Sequence, residues 1–222
     1  MAKTGPRGHL PDHPRNQPSD TPTRERLVEA AIETLKREGF AGASARAIAS
    51  TAGVNQALVF YHFGTVNDLL LAALDATSER RMVRYQEAVA NAAGPAEVIA
   101  VARDIYREDL DAGHLTVLGA VIAGASTVPE LGPALIERIR PWIGFTAEHL
   151  GGMLGGSPLA DLAPAEDAAF AIVALYLGME LLTSLDGDQA HAESLFAALE
   201  RLSLPLAALL GTPAKQEGHP HA

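Results

Sequence analysis

The sequence predicts an all-α fold of about nine helices, and three observations carry that expectation. Alanine and leucine dominate an apolar fraction of 48% in 222 residues, while runs of β-branched residues are scarce, a composition that favours helix over strand. Between residues 21 and 211, apolar residues recur three and four positions apart, the helical period. Cap-forming Ser and Thr residues stand where these periodic stretches begin, and Gly stands where they end. No internal repeat and no convincing strand pattern interrupts them.

The elements follow in order. Residues 1–20, "MAKTGPRGHLPDHPRNQPSD", are rich in Pro, Gly and polar residues and read as a flexible basic arm. Thr21 and Pro22 suit an N-cap and a first helical position. Leu27, Val28, Ala31, Ile32 and Leu35 then form an apolar stripe. Gly39 should end that helix, with Phe40 folding back on it. A second short helix starts after Ser44, buries Ile48, Ala49 and Ala52, and closes at Gly53. "VNQALVFYHF" makes a third. Thr65 opens a fourth, with Asp68 three residues on in a Thr-x-x-Asp capping arrangement.

Beyond residue 75 the pattern continues. A helix lies between Gly94-Pro95 and Gly113. "HLTVLGAVIAGAST" is apolar nearly all round and should be buried. The next helix contains Pro141, which should kink or divide it. "SPLADLAP" reads as a loop, and two final helices flank the "DGDQA" turn. The chain therefore divides into residues 1–20 (arm), 21–75 (short helices), 76–211 (a larger helical domain) and 212–222. The last segment, "TPAKQEGHPHA", reads as a flexible tail rather than a metal site. No metal site and no cofactor are expected.

Charge and cysteine bound the function. Net charge is −10, which argues against a generally basic nucleic-acid coat. Its distribution is uneven: residues 1–20 carry +1, residues 21–75 carry −1, and residues 76–222 carry −10. The first third alone is close to neutral and can approach a polyanion. With no cysteine, disulfides and thiolate metal sites are excluded. No uncharged apolar run of ~18 residues and no apolar signal core is present, so the expectation is a cytoplasmic protein without a membrane partner.

The two short helices joined through Gly53 and Val54 have the form of a helix-turn-helix. Gly53 permits a left-handed turn residue and Val54 plugs the corner. On the second of these helices Val59 and Phe63 share a core face, with Phe60 at its boundary. Ala57, Leu58 and Tyr61 fall opposite, with Gln56 near the exposed N-terminus. A three-helix unit has no further layer to cover that side, so it must meet water or a partner.

Residues 21 to about 75 resemble the TetR family of transcriptional regulators. The resemblance rests on an ordered set: a helix ending in Gly-Phe, a Ser-capped helix with Ala-Ile-Ala, the turn Ala-Gly-Val, and an aromatic-aromatic-His-Phe ending. The rest of the chain matches only in outline, as an all-helical regulatory and dimerisation domain. The resemblance thus implies an N-terminal three-helix helix-turn-helix DNA-binding domain plus a C-terminal ligand-binding and dimerisation domain. It further implies a homodimeric repressor that binds a palindromic double-stranded DNA operator and is released by a small, largely apolar effector. Carried over position by position, Ser44 and Arg46 start the supporting helix, Asn55, Gln56, Ala57 and Leu58 form the reading edge, and Tyr61 and His62 grip phosphate. The chemistry suits those roles: Gln can bond an adenine edge bidentately, and an apolar side chain can contact a thymine methyl. Helix N-termini at Ser44, Asn55 and Thr65 offer backbone N–H groups to phosphates. Two departures stand out. The family usually has Tyr at the position of Phe60 and Lys at the position of Val66, which removes a hydroxyl and a cation.

In the larger domain, the helix over residues 164–184 is apolar on nearly every face, which implies contact on two sides. Phe170, Val173, Leu177 and Leu181, with Leu195, Leu199, Leu202 and Leu206 of the last helix, are the expected faces of an isologous homodimer. A ligand pocket follows from the resemblance. Its candidates are polar or aromatic residues set in apolar helices: Tyr106, His114, Trp142, Phe145, His149 and Tyr176. Two alternatives come from other classes. One is a helix-turn-helix used as a protein-interaction adaptor, which the substitutions at Phe60 and Val66 keep open. The other is a helical small-molecule enzyme, but no Glu-x-x-His pair, nucleophile elbow or phosphate loop is present, so no catalytic residue is assigned.

Overall fold

The computed structural model describes residues 20–112, 114–154 and 164–209. Apart from Asp20, the expected arm lies outside them, as do the expected tail and the side chain of Leu206. The described residues form helices and no strand: α1 Asp20–Gly42, α2 Ala45–Ala52, α3 Ala57–Phe63, α4 Val66–Asn91, α5 Pro95–Ala112, α6 His114–Ala125, α7 Leu131–Leu154, α8 Ala165–Asp186 and α9 Ala190–Leu209.

Local chemistry sets most boundaries in the first third. Gly39 sits at φ 67°, ψ −172°, a backbone region open to glycine and strained for other residues, and it breaks α1 near its end. Ser44 is extended, and its hydroxyl accepts from the Ala47 amide at 3.2 Å. Gly53 adopts the left-handed conformation, and the Gly53 and Val54 amides return to carbonyls of α2, a C-terminal cap that turns the chain into α3. Thr65 caps α4 by accepting the Asp68 amide at 3.1 Å.

Two expectations at helix ends change. Helix α1 begins at Asp20, so Thr21 is inside it rather than its cap; Pro22 remains in the first turn, where its missing N–H has no intrahelical acceptor to lose. Phe40 does not simply fold back on its own helix. Its ring lies against Gly124 of α6, and a methyl group built on Gly124 would overlap it. Pro141 does not divide α7, which runs through it as one helix.

One buried cluster joins the two halves of the chain. Leu27, Leu35, Ile48, Val59 and Leu69 of the first four helices are continuous with Val117 and Val121 of α6 and Leu131 of α7. Helix α6, expected to be buried, supplies Leu115, Val117, Leu118 and Val121 to this core and leaves Ile122 exposed. A smaller cluster of Tyr106, Ala192 and Phe196 lies between α5 and α9. Helix α8 packs chiefly on α7, and α9 on α5.

Helix α8 is unusual in its exposed side. It is long and apolar enough to cross a membrane by length and composition, yet only 17% of that apolar window is buried. Phe170, Leu181, Leu182 and Leu185 stand between 53% and 76% exposed.

Candidate nucleic-acid interface and ligand cavity

The surface of the helix-turn-helix follows from how α3 sits on its neighbours. Val59 is fully buried, and Phe63 packs against the core with the Arg24 guanidinium 5.0 Å from its ring centre. The opposite face presents Gln56, Ala57, Phe60 and Tyr61, with Tyr61 70% and Phe60 48% exposed. Leu58 differs from the sequence projection: it is half-buried and packs against the core. The helix is only seven residues long, and Leu58 lies on its flank, so a small rotation exchanges its exposure with that of Phe60.

Polar groups at the same surface are already partly committed. The Asn55 side-chain oxygen accepts from the Ala57 amide at 2.8 Å and caps α3, which leaves its amide nitrogen to face outward partners. The Thr65 hydroxyl donates to Asp68 at 2.7 Å, placing a carboxylate at the N-terminus of α4 where a phosphate would otherwise be favoured. Arg46 is exposed, with no ion pair or hydrogen bond among the described residues. His62 is half-buried and makes edge contacts with Tyr61 at 4.9 Å and Phe63 at 6.4 Å between ring centres. The sequence-derived set Ser44, Arg46, Asn55, Gln56, Ala57, Tyr61, His62 and Thr65 thus lies along α2, α3 and the cap of α4, and Phe60 joins it.

The second site is a cavity of about 440 Å³ lined by residues of α4 to α9. Of the six expected ligand contacts, His114, Trp142, Phe145, His149 and Tyr176 line it. Tyr106 does not: it is wholly buried behind Tyr176, its ring centre 5.7 Å from that of Tyr176 and its hydroxyl 2.7 Å from Thr183. Most of the wall is apolar, as in small-molecule sites generally. Trp142 donates from its indole nitrogen to Ser78 at 2.8 Å and meets Tyr85 edge-on.

Sequence reading missed the charged groups here. Arg81 of α4 pairs with Asp109 of α5, lies 3.8 Å from Glu180 of α8, and stacks over Trp142. Tyr176 donates to Asp109 at 3.1 Å, and His114 lies 3.8 Å from the same carboxylate. Burial raises the Asp109 carboxyl above its ordinary range, against the pull of Arg81. Burial pushes Glu180 up to about 8, with Arg81 opposing. The His114 imidazole is pushed down by burial, with Asp109 opposing. Arg138 of α7 pairs with Asp75 of α4 through contacts of 2.7 and 2.8 Å.

The expected dimer faces divide. Phe170, Leu181, Leu199 and Leu202 are exposed, and Leu195 is half-buried. Val173 and Leu177 are corrections: both are half-buried and line the cavity, because the side of α8 that carries Glu180 and Thr183 turns inward. Leu182 and Leu185, which the sequence projection left out, are the more exposed residues on the outer side.

An all-helical protein with a helix-turn-helix near its N-terminus is what this fold defines. Residues 27–73 match the family model described as bacterial regulatory proteins, tetR family. Over 72 residues the chain is 43% identical to the HTH-type transcriptional regulatory protein RaaS of Mycobacterium tuberculosis, covering 32% of each protein. Over 110 residues it is 32% identical to an uncharacterized HTH-type transcriptional regulator of Mycobacterium bovis, covering 49% of this chain and 56% of that one. The chain thus spans between about a third and just over half the length of these curated relatives. Its fold is similar to that of a TetR-family transcriptional regulator from Cytophaga hutchinsonii, with a TM-score of 0.70 at 18% identity over 86% of this chain and 98% of that one. Salmonella enterica GusR gives a TM-score of 0.66 at 20% identity over 87% and 98%. The match to the tetR family thus falls on the helix-turn-helix segment, residues 27–73.

Proposed function

We propose that this chain is a homodimeric transcriptional repressor that reads a palindromic operator through α3 and is released by a small apolar effector. The observation that carries this reading is the exposed edge of α3, where Gln56, Ala57, Phe60 and Tyr61 stand together on the second helix of a helix-turn-helix. In that motif the second helix enters the major groove with its N-terminal residues toward the base edges. Gln56 and the Asn55 amide nitrogen are the hydrogen-bonding readers, and Ala57 offers apolar contact to a thymine methyl. Tyr61, His62, Ser44 and Arg46 flank them for the phosphate backbone. Phe60, exposed without a hydroxyl, gives the interface an apolar bias, and Val66 adds no cation.

Release follows from the position of α6. Its N-terminal half carries His114 and Leu118 at the cavity, and its last turn carries Gly124 against Phe40 of α1. A ligand that moves α6 therefore pushes on the helix that supports α2 and α3. The exposed apolar side of α8, with Leu199 and Leu202 of α9, supplies the surface for a second copy, and no membrane partner is needed to cover it.

Selection of bound DNA from a random pool with the full chain tests the reading. The expected result is enrichment of a palindrome, weakened by Gln56→Ala and Tyr61→Ala. Recovery of no sequence, with a folded protein, would replace the proposal by the protein-interaction adaptor.

A further inference from the structure

The cavity's charge inventory narrows what can occupy it. Among the described residues, two charged side chains line it, Arg81 and Arg138, and no carboxylate does. Neither guanidinium is free. Asp75 stands behind Arg138 and binds it through two atoms. Asp109 stands behind Arg81, in contact with it. A third carboxylate, Glu180, is wholly buried 3.8 Å from Arg81, and neither of its oxygens has a hydrogen-bond partner among the described residues. One guanidinium thus serves two acids. The groups that face Glu180 from the surrounding helices are Arg81 and Tyr85 of α4, Tyr106 and Asp109 of α5, and Tyr176 of α8 itself. Burial holds a proton on Glu180 up to about pH 8, so at neutral pH the remaining pairs balance. The same desolvation keeps His114 short of its charged form.

A ligand bearing a charge would have to leave water for this wall and would find no unpaired opposite charge. Desolvating an ion without a partner is heavily unfavourable. An uncharged head group has ordinary partners instead. Ser78 accepts from Trp142 and keeps its own hydroxyl proton to donate. His149, which lines the cavity, uses Nδ1 to donate to the Phe145 carbonyl at 2.8 Å, so its other ring nitrogen is the one left to accept. The aromatic faces of Trp142, Tyr85 and Tyr176 line the same chamber.

We infer that the cavity takes an uncharged, mainly apolar molecule with a single hydroxyl- or carbonyl-type head group, and discriminates against carboxylates and ammonium ions on the same carbon skeleton. This deepens the reading of the cavity as the effector site and rests on it.

Trp142 is the chain's one tryptophan and lines the cavity, so its emission reports occupancy without a label. The full chain is titrated at pH 7 with 1-decanol, decanoate and decylammonium below their aggregation limits, and with 1-adamantanol and the corresponding carboxylate and ammonium. None of these probes absorbs where tryptophan does. The expected result is saturable change in emission with the alcohols at concentrations at least ten-fold lower than with either ion. Raising the pH to about 9 ionises Glu180, so decylammonium should gain on decanol in the parent protein and not in Glu180→Gln. A carboxylate or ammonium that equals or beats its alcohol at pH 7 overturns the inference while leaving the cavity a ligand site. No response from either skeleton removes the cavity as an effector site altogether. Should Glu180→Gln fail to fold, the pH 7 ranking in the parent protein decides by itself.

Discussion

Glu180 shows how one side chain can set a protein's response to pH. Its carboxyl is raised from an ordinary 4.5 to about 8, so the folded chain keeps a proton that the unfolded chain has released. The unfolded state then binds fewer protons, and stability falls as pH rises toward 8 and levels off above it. Asp109, also raised, contributes the same sign. His114, which is lowered, contributes the opposite sign only below its ordinary value near 6.5. Tyr85 and Tyr176 are raised by burial, so they act only above pH ~10. Between pH 6.5 and 8 the parent protein should therefore lose on the order of 1–2 kcal/mol, the part of that linkage which falls in this window. Denaturant melts at the two pH values measure it. Glu180→Gln should show a nearly flat profile, and a slope that survives the substitution would assign it elsewhere. At the same scale, Gln56→Ala should cost about 1–3 kcal/mol of DNA binding at one base position. Tyr61→Ala should instead weaken binding across all sequences alike, because phosphate contacts carry no sequence information. Mobility shifts on the selected operator and on single-base variants separate the two patterns.

At the scale of the element, what was legible in the sequence was short-range. Ser44, Gly53 and Thr65 announce themselves because a cap is made with residues two to four positions away. The stripe Leu27, Ala31, Leu35 reports one buried face of one helix, and those residues are buried. Contacts between elements were not legible in this way. Arg81, Asp109 and Glu180 come from α4, α5 and α8, and no spacing in the sequence links them. The same limit explains Leu58 and Phe60, where the wheel gave the right two faces but the packing of a seven-residue helix decided which flank was covered. Phe40 and Gly124 are the sharpest case, since a ring from α1 occupies the space that any side chain at Gly124 would need. Gly124→Ala should destabilise the fold by about 1–3 kcal/mol through overpacking, despite alanine's better helix propensity. Pairing it with Phe40→Leu should recover part of that loss. Thermal unfolding of the two single variants and the double variant measures the coupling, and additive losses would show that α1 and α6 do not meet there.

At the scale of the whole molecule, the outer side of α8 is the surface proposed for a second copy. Phe170, Leu181, Leu182, Leu185 and Leu202 are more than half exposed, a concentration of apolar surface of the kind that marks interaction sites. Two copies related by a two-fold axis would bury the same patch on both, and a stable interface of this type covers about 1,200–2,000 Å². The pairing would also set two α3 helices at the spacing of successive major grooves, about 34–36 Å or a multiple of it. Leu182→Glu tests both consequences. The side chain is 67% exposed, so the substitution should change the stability of a single copy by no more than about 0.5 kcal/mol. In a dimer it would set a carboxylate into an apolar contact on both sides of the axis. Light scattering should then report a folded monomer where the parent gives a dimer. Binding to the selected palindrome should fall steeply, while binding to a single half-site should stay near the parent's level per head. A variant that remains dimeric would place the interface away from α8 and leave its apolar side in need of another partner.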